Sequence, residues 1–254
     1  VRAIASGSRH SCALFEDDTV GCWGLNTSGQ LGQGTLTMNS PAAPVVKVGG
    51  GAIAGVSKIA AGGDRACALI SGGVWCWGDL GHNSAGNNNG TDKNTATDMG
   101  LSGIVDVSAG YAHICVVDGS GGVKCWGHNG FGQLGNGTTT DSMTPVSVAL
   151  GTSRAIKVSA GYVHTCAVLN TGEIKCWGSG QFGSLGNGAL NSSSSPVSVF
   201  GITNAEEVSC GNEHCCSILQ DKSVLCWGDG PVGQLGTGRA ERYQSTPILA
   251  LFYS

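Results

Sequence analysis

One segment recurs five times along this chain of 254 residues, and the repetition constrains the fold more than any other feature. Each copy carries two cysteines, and Trp-Gly follows the second of them. The first cysteine recurs at intervals of 55, 48, 51 and 50 residues, a mean of 51. Repeats of about this length are typical of propellers and solenoids. The chain therefore divides into five repeats, which cover residues 1–50, 51–103, 104–154, 155–204 and 205–254.

Each repeat has the pattern of four short β-strands separated by Gly, Asn and Ser. In the fourth repeat these strands are predicted at Ala155–Gly161, His164–Leu169, Glu173–Gly178 and Pro196–Phe200. Four antiparallel strands per repeat form one blade of a β-propeller. The 44 glycines also argue against a helical protein, because glycine in a helix interior costs about 1 kcal/mol. We expect one all-β propeller domain over residues 1–254, with five four-stranded antiparallel blades.

The turn between the second and third strands sets the register of the paired cysteines. In four repeats the pair is ten residues apart, and a three-residue turn such as Asn170-Thr171-Gly172 places them opposite each other. In the second repeat the spacing is nine, and the turn shortens to Ser71-Gly72. Turn length and cysteine spacing change together, so the cysteines face each other in every blade.

Directly opposed residues of an antiparallel pair lie within disulfide reach. The remaining two cysteines, in the fifth repeat, are close enough in sequence to bridge a bend. Twelve cysteines then pair without remainder, as expected of a secreted or cell-surface protein in an oxidising compartment. The alternatives are reduced buried thiols or metal ligands, but one pair per blade separates the ligands that zinc would need. The expected disulfides are Cys12–Cys22, Cys67–Cys76, Cys115–Cys125, Cys166–Cys176, Cys216–Cys226 and Cys210–Cys215.

The tryptophan after each second cysteine is predicted to pack between blades. Successive strand residues point to opposite faces of a sheet, so the cysteine and tryptophan of Cys-Trp-Gly leave the blade on opposite sides. Each indole would then face a neighbouring blade, close to its disulfide. A role in stacking on sugars is the alternative. The five tryptophans are Trp23, Trp77, Trp126, Trp177 and Trp227.

The loop after each tryptophan carries a second motif, Gly-Gln-Leu-Gly-x-Gly, at 29–34, 132–137 and 233–238. With the preceding Ala-Gly-x-x-His-x-Cys and the following Pro-Val strand, the chain resembles the regulator of chromosome condensation repeat family over its whole length. The resemblance implies a β-propeller. Well-known members have seven blades, so this chain forms a five-bladed ring, an open ring, or part of a longer propeller.

The resemblance also bears on function. The founding member of the family is a nuclear exchange factor for a small GTPase that docks on chromatin. That role fits poorly here, because the net charge is −4 and six disulfides do not suit a nuclear protein. The chain is closer in character to secreted members such as the bacterial β-lactamase-inhibitor propellers, which look like rigid platforms that bind proteins through their loops.

One repeat position carries a histidine in four repeats and an arginine in the second. In a closed propeller these side chains would form a ring, which could be an anion or metal site near the axis. The interpretation we favour is structural, with each side chain hydrogen-bonding the tight bend that precedes it. The residues at this position are His10, Arg65, His113, His164 and His214.

No pattern in the sequence predicts an enzyme. Gly-x-G-x-x-Gly occurs at 130–135, 178–183 and 228–233, but a dinucleotide site needs a following helix, and none is expected. Nucleophile-elbow, metalloprotease and calcium-loop motifs are absent from the sequence. We therefore expect no catalytic residues, no cofactor and no bound metal.

Four Asn-x-Ser/Thr sequons lie in the predicted loops between third and fourth strands. Their shared location is compatible with N-glycosylation of one exposed face in a eukaryotic secretory pathway. Asn and Ser/Thr are common in this chain, so the number of sequons by itself carries no weight. The candidate acceptors are Asn26, Asn89, Asn136 and Asn191.

The sequence thus favours a non-enzymatic extracellular platform for protein–protein interaction. One alternative is a structural subunit of an extracellular assembly or filament, since a surface with 12% charged residues can pack against copies of itself. A carbohydrate-binding propeller is a further alternative, and nucleotide exchange on a small GTPase is the least favoured. No nucleic-acid partner is expected from a mildly acidic chain. No transmembrane segment is expected either, because no uncharged apolar run approaches the roughly 18 residues that span a bilayer.

Overall fold

A computed structural model describes residues 1–37, 40–80, 92–240 and 242–251. It contains five four-stranded antiparallel sheets, each formed by four strands that are consecutive in sequence. The predicted all-β fold with one sheet per repeat is confirmed. No helix in the described ranges is long and apolar enough to cross a membrane.

Each blade begins with its inner strand and ends with its outer strand. The first blade contains β1 (Ala3–Ser6), β2 (His10–Leu14), β3 (Val20–Gly24) and β4 (Ser40–Pro44). The second contains β5 (Val56–Gly62), β6 (Arg65–Ile70), β7 (Gly73–Gly78) and β8 (Lys93–Asp98). The third contains β9 (Ile104–Ala109), β10 (His113–Asp118), β11 (Val123–Gly127) and β12 (Ser142–Ser147). The fourth contains β13 (Ala155–Ala160), β14 (His164–Leu169), β15 (Ile174–Gly178) and β16 (Ser193–Ser198), and the fifth β17 (Ala205–Cys210), β18 (His214–Leu219), β19 (Val224–Asp229) and β20 (Tyr243–Leu249).

The central hairpin of each blade has the register that the cysteine spacing predicts. Cys166 pairs with Cys176 across β14 and β15, and Gly172 closes the three-residue turn at φ +83°. In the second blade Ser71 and Gly72 both have positive φ, so a two-residue turn keeps Cys67 opposite Cys76. Local turn chemistry therefore fixes which residues share a face of each blade.

The bounds of the outer strands are predicted less accurately from the sequence than those of the inner strands. β16 begins at Ser193, three residues before the predicted start at Pro196, because serine-rich segments lack the apolar alternation that marks a strand. The polar sequence of 87–98 predicts an irregular loop and a candidate contact surface. Residues Lys93–Asp98 instead form β8, and residues 87–91 lie outside the described part of the chain.

The hydrophobic core lies between the blades. In the third interface Val158, Leu169 and Trp177 of the fourth blade pack with the Cys115–Cys125 disulfide of the third. The same arrangement joins the first blade to the second, the second to the third and the fourth to the fifth. The second, third and fourth blades thus each bury one face against the preceding blade and the opposite face against the following blade.

This succession does not close into a ring. The inner strands pack consecutively from β1 to β17, but no comparable packing between described residues joins β17 to β1. Ile4 of the first blade is 74% exposed, whereas Val158 at the equivalent position is 5% exposed. On the opposite end Ile218 is 39% exposed, whereas its equivalent Val168 is fully buried. The five blades form an open arc with two apolar end faces.

Candidate interaction surfaces

The structure pairs all twelve cysteines in the six disulfides that the register predicts. Five link the second and third strands of a blade, and Cys210–Cys215 crosses the bend between β17 and β18. In the first four blades these cross-strand disulfides are buried beneath the next blade, whereas Cys216 of the fifth blade is partly exposed.

The histidines of the shared repeat position connect neighbouring blades. His113 Nε2 lies 2.8 Å from Thr165 Oγ1, and His164 Nε2 lies 3.1 Å from Cys215 Sγ. Gly161 precedes His164 because a Cβ there would come within 2.4 Å of the imidazole ring. The partners of these two histidines lie on the following blade rather than in the preceding bend, which corrects the sequence-based interpretation of how they bond.

Burial keeps these imidazoles neutral. Desolvation lowers the pKa of His113 to about 3 and that of His164 to about 4. The pKa of His10 also falls to about 4, chiefly through burial, and burial lowers the pKa of the less enclosed His214. Neutral, enclosed rings suit blade packing, and they are poorly placed to bind an anion.

Arg65 replaces histidine in the second blade and reaches further. Its Nε donates to the carbonyl oxygen of Asp79 at 2.8 Å, and Nη2 lies 3.4 Å from the carboxylate of the same residue. Its Nη1 donates to the carbonyl of Tyr111 on the third blade. Arg65 is almost completely buried, and its guanidinium group hydrogen-bonds to residues of both the second and the third blades.

The repeat position contributes one histidine to a group of potential metal ligands. Among the described residues, the one group of potential ligand atoms within 4.8 Å of one another belongs to His164, Cys210 and Cys215. Both sulfurs are bonded to each other in a disulfide, and a disulfide does not offer the thiolates that zinc requires.

The sequence patterns did not predict an aromatic pair that lies beside the propeller axis. Tyr111 and Tyr162 occupy the bends between first and second strands of the third and fourth blades, with ring centroids 4.3 Å apart. Both rings are exposed, and they line a cavity of about 200 Å³ with Asn212 of the fifth blade. The available signal was the sequence Ala-Gly-Tyr, which occurs in both of these repeats.

The backbone beneath these two rings is fixed by the next blade. The amide of Tyr111 donates to the carbonyl of Gly161 at 3.2 Å, and the amide of Tyr162 donates to Gly211 at 3.2 Å. The two tyrosines are therefore held in place before any partner arrives, which limits the entropy lost on binding.

Further aromatic residues lie at the same end of the blades. In an antiparallel blade the bend after the first strand and the loop after the third leave from one end, which we call the loop face. Phe131 and Phe182, in the loops after β11 and β15, are exposed there.

Glu213 lies in the bend between β17 and β18, at the same end of the blades. Burial, together with the nearby Asp229, raises the pKa of its carboxyl group.

The structure separates the four sequons. Asn26 is fully buried, its amide Nδ2 donates to the carbonyl of Thr35, and its Oδ1 accepts from the amide of Leu31. It shapes the loop from within, so it is wrong as a glycan acceptor. Asn191 is exposed and Asn136 is half-buried, so these two remain candidates, and Asn89 lies outside the described residues.

The tryptophans pack as predicted in four of five blades. Trp77, Trp177 and Trp227 donate from Nε1 to a loop carbonyl of the preceding blade, at 3.0, 2.9 and 3.0 Å. Trp126 is equally buried, against the disulfide of the second blade. Trp23 departs from the prediction and is 37% exposed, because no described blade packs against its side of the first blade.

These features define a disulfide-bonded β-propeller, in which four tryptophans are buried between successive blades and three of them hydrogen-bond to the loop of the blade before. The profile of the RCC1-like domain matches residues 1–252. The chain therefore belongs to the RCC1-like domain family, whose fold typically mediates protein interactions.

Two curated relatives illustrate the similarity. The ultraviolet-B receptor UVR8 of Arabidopsis thaliana is 34% identical over 207 residues, covering 78% of this chain and 46% of the receptor. RCC1 domain-containing protein 1 of mouse is 27% identical over 206 residues, covering 78% of this chain and 49% of the relative. The chain spans about half the length of these relatives.

Solved structures show the same fold. Yeast RCC1 (Prp20), crystallised with Kap60, superposes with a TM-score of 0.80 at 18% identity over 98% of this chain and 61% of its own. Human WBSCR16 superposes with a TM-score of 0.76 at 24% identity over 86% and 57%. The ectodomain of the Arabidopsis thaliana receptor kinase ACR4 gives 0.52 at 22% identity over 89% and 71%.

Proposed function

We propose that this chain is a non-enzymatic, extracellular protein-binding platform whose contact surface is the loop face. The observation that carries the proposal is the exposed pair Tyr111 and Tyr162, whose ring centroids lie 4.3 Å apart with the ring planes tilted by 38°. Tyrosine supplies a large contact area at low conformational cost and is enriched among residues that dominate binding energy. Phe131 and Phe182 are exposed in loops at the same end of the blades and add aromatic area to the loop face.

Binding rather than catalysis fits the way the titratable groups are used. His113, His164 and Arg65 are buried and engaged between blades, so they do not face a substrate. The rigid scaffold beneath the loops suits recognition, since ordered loops lose little freedom when a partner docks.

The extracellular setting is supported by the cysteines. Six closed pairs with no unpaired cysteine are typical of an oxidising compartment. Mass spectrometry after alkylation should find no alkylated cysteine in the native protein and twelve alkylated cysteines in the reduced protein. Substantial thiol labelling before reduction would contradict the extracellular location and leave the binding proposal standing.

The binding proposal is tested by crosslinking with proteins from the surroundings of the native protein. The double variant Tyr111→Ser/Tyr162→Ser should lose the partner that the parent protein crosslinks. Phe200→Ser is the matched control, because Phe200 is exposed in the connection after β16, at the opposite end of the blades. Retention of the partner by the double variant would overturn the proposed surface, and tyrosine-dependent binding to a glycan array would favour a carbohydrate ligand instead.

A further inference from the structure

The six disulfides do not join one blade to another. Each of them links two cysteines of the same blade, and no cysteine is left unpaired. Among the described residues, neighbouring blades are therefore held together by noncovalent contacts and by the chain that connects them. A further covalent bond between two blades needs a different pair of reactive side chains where the blades meet.

Tyr111 and Tyr162 are a pair of this kind. They occupy the same repeat position in the third and fourth blades, and their ring centroids lie 4.3 Å apart. Aromatic pairs in proteins usually have centroids about 4.5–7 Å apart, so these two rings are in close contact. Tyr111 is 47% exposed and Tyr162 is 37% exposed, so an oxidant in solution can reach both phenols.

The separation of the two rings suits a bond between them. Two aromatic rings joined directly by a carbon–carbon bond have centroids separated by two ring radii and one bond length, which is close to the separation seen here. The ring planes are tilted by 38°, and directly joined rings can also twist about the bond that joins them. Bond formation therefore needs rotation of the two side chains and no change in the distance between the blades.

The two phenols are held against each other. The amide of Tyr111 donates to the carbonyl of Gly161, the residue before Tyr162, at 3.2 Å. Desolvation raises the pKa of Tyr162, and so do the charge of Tyr111 and a side-chain hydrogen bond with it. The ortho carbon of a phenol is bonded to the carbon that carries the hydroxyl group, so neighbouring hydroxyl groups bring ortho carbons of the two rings together.

The flanking blades offer no competing phenol at this repeat position. The second blade has Gly63 there, and the fifth blade has Asn212. A peroxidase does not oxidise either of these residues to a radical. At this position each tyrosine therefore has the other as its coupling partner.

We propose that Tyr111 and Tyr162 form an intramolecular dityrosine crosslink when a haem peroxidase oxidises the protein with hydrogen peroxide. Each phenol loses one electron and its hydroxyl proton, which gives a phenoxyl radical. The two radicals form a carbon–carbon bond between their ortho carbons, and each ortho carbon then releases its hydrogen as a proton while each oxygen regains a proton. The protein loses two hydrogen atoms in total, and one hydrogen peroxide is reduced to two waters.

The crosslink would tie the third blade to the fourth at the loop face. It would also restrict the unfolded chain, as a disulfide does, because it joins residues that are 51 positions apart in sequence. Its formation depends only on these two rings, and not on partner binding by the loop face or on the ends of the arc.

Oxidation of the dilute, purified protein with peroxidase and hydrogen peroxide tests the proposal. The parent protein should remain a single chain and gain the fluorescence of dityrosine. Tyr111 and Tyr162 lie in the tryptic peptides 94–124 and 158–175. After reduction of the disulfides and digestion, these two peptides should be joined in one species, whose mass is their sum less two hydrogen atoms.

Two variants isolate the coupling, Tyr111→Phe and Tyr162→Phe, because phenylalanine keeps the ring and lacks the hydroxyl group. Each should form at least about tenfold less dityrosine at the same dilution, since the remaining phenols are not held against a partner. Tyr243→Phe is the matched control, because Tyr243 lies on β20 of the fifth blade, and it should give the parental yield. Phenylalanine also preserves the aromatic contact area, so a failure to crosslink would leave the loop-face proposal standing.

Two results would overturn the crosslink. One is a parental yield of dityrosine in either phenylalanine variant. The other is a parent protein whose two peptides are never joined, although N-acetyltyrosine added to a parallel sample is coupled by the same oxidant.

Discussion

The indole of Trp177 donates a hydrogen bond to the carbonyl of Gln133 on the preceding blade at 2.9 Å. The same carbonyl accepts from Thr165 Oγ1, and Thr165 in turn contacts His113. One backbone oxygen thus connects the tryptophan, the histidine position and the glycine-rich loop. The motifs that recur along the sequence are parts of a single joint between successive blades.

Because of this joint, equivalent tryptophans should differ in their contribution to stability. Trp177→Phe removes the Nε1 donor, and the carbonyl of Gln133 keeps only the bond from Thr165, so the lost hydrogen bond should destabilise the protein by about 0.5–1.5 kcal/mol. Trp23→Phe should change stability by less than about 0.5 kcal/mol, since Trp23 stands at the exposed end. Urea unfolding of both variants measures the difference, and equal losses would refute the open arc.

A pair of glycines allows the same comparison without aromatic residues. Gly132 and Gly233 both have φ +84°, so alanine at either position incurs the same backbone strain of about 1–2 kcal/mol. Gly132→Ala additionally drives a methyl group into the backbone of Ser194, whereas Gly233→Ala meets no described atom within 4 Å. We expect Gly132→Ala to be the more destabilising in thermal unfolding. Equal melting temperatures would show that the third loop is not in close contact with the fourth blade.

Acid should unfold this protein through its buried histidines. The pKa of His113 is about 3 when folded and near 6.5 when unfolded, so only the unfolded chain takes up a proton as the pH falls. The free energy of unfolding is therefore not reduced by this group above about pH 6.5, and it falls by about 1.4 kcal/mol per pH unit below that value. Burial of His164 acts in the same direction and over a similar range.

The variant His113→Gln isolates this effect. It should lower stability at pH 7 and reduce the pH slope between 6 and 4.5 by about 1.4 kcal/mol per unit. Asp118 also contributes to the pH dependence of stability, because its hydrogen bond with Ser120 lowers the pKa of its carboxyl group. That contribution is lost at lower pH than the contribution of His113, so the two can be measured separately. Chemical denaturation at several pH values gives the slope, and an unchanged slope would mean that His113 is not a buried neutral ring.

Reduction should begin at the fifth blade. Cys216 is partly exposed because no blade covers it, whereas Cys115 and Cys166 are fully buried under the next blade. Thiol–disulfide exchange depends on access of the attacking thiolate to the sulfur. Limited treatment with a dithiol followed by alkylation and peptide mapping should therefore label Cys216 before Cys115. Labelling of both at equal rates would indicate global unfolding or a closed ring.

Much of the blade could be read from the sequence because its determinants are local. The spacing between Cys166 and Cys176, with Gly172 in the turn, is enough to set register, and register alone selects the disulfide. The repeat of Cys-Trp-Gly likewise indicated that an indole packs between blades. Each of these inferences spans fewer than twenty residues and needs only strand alternation and turn geometry.

The candidate binding surface could not be reached in this way. Tyr111 and Tyr162 are 51 residues apart in sequence, and their rings come into contact only when the third and fourth blades are placed side by side. Asn26 looked like a glycan acceptor because a sequon records no burial, whereas the folded loop encloses its amide. The sequence shows that the histidines share one repeat position. It could not predict the hydrogen-bond partners of His113 and His164, because those partners lie on the following blade.

The sequence by itself determined the number of blades, their strand order, the disulfide pairing and the insertion of a tryptophan at each joint. Tertiary structure alone decided which of the equivalent surfaces are buried, because the burial of each blade face depends on contact with a neighbouring blade. Among the described residues, Trp23 is 37% exposed and no indole lies close to Gly236 in the loop of Gln234. Identical motifs are therefore buried in the middle of the arc and exposed at its ends.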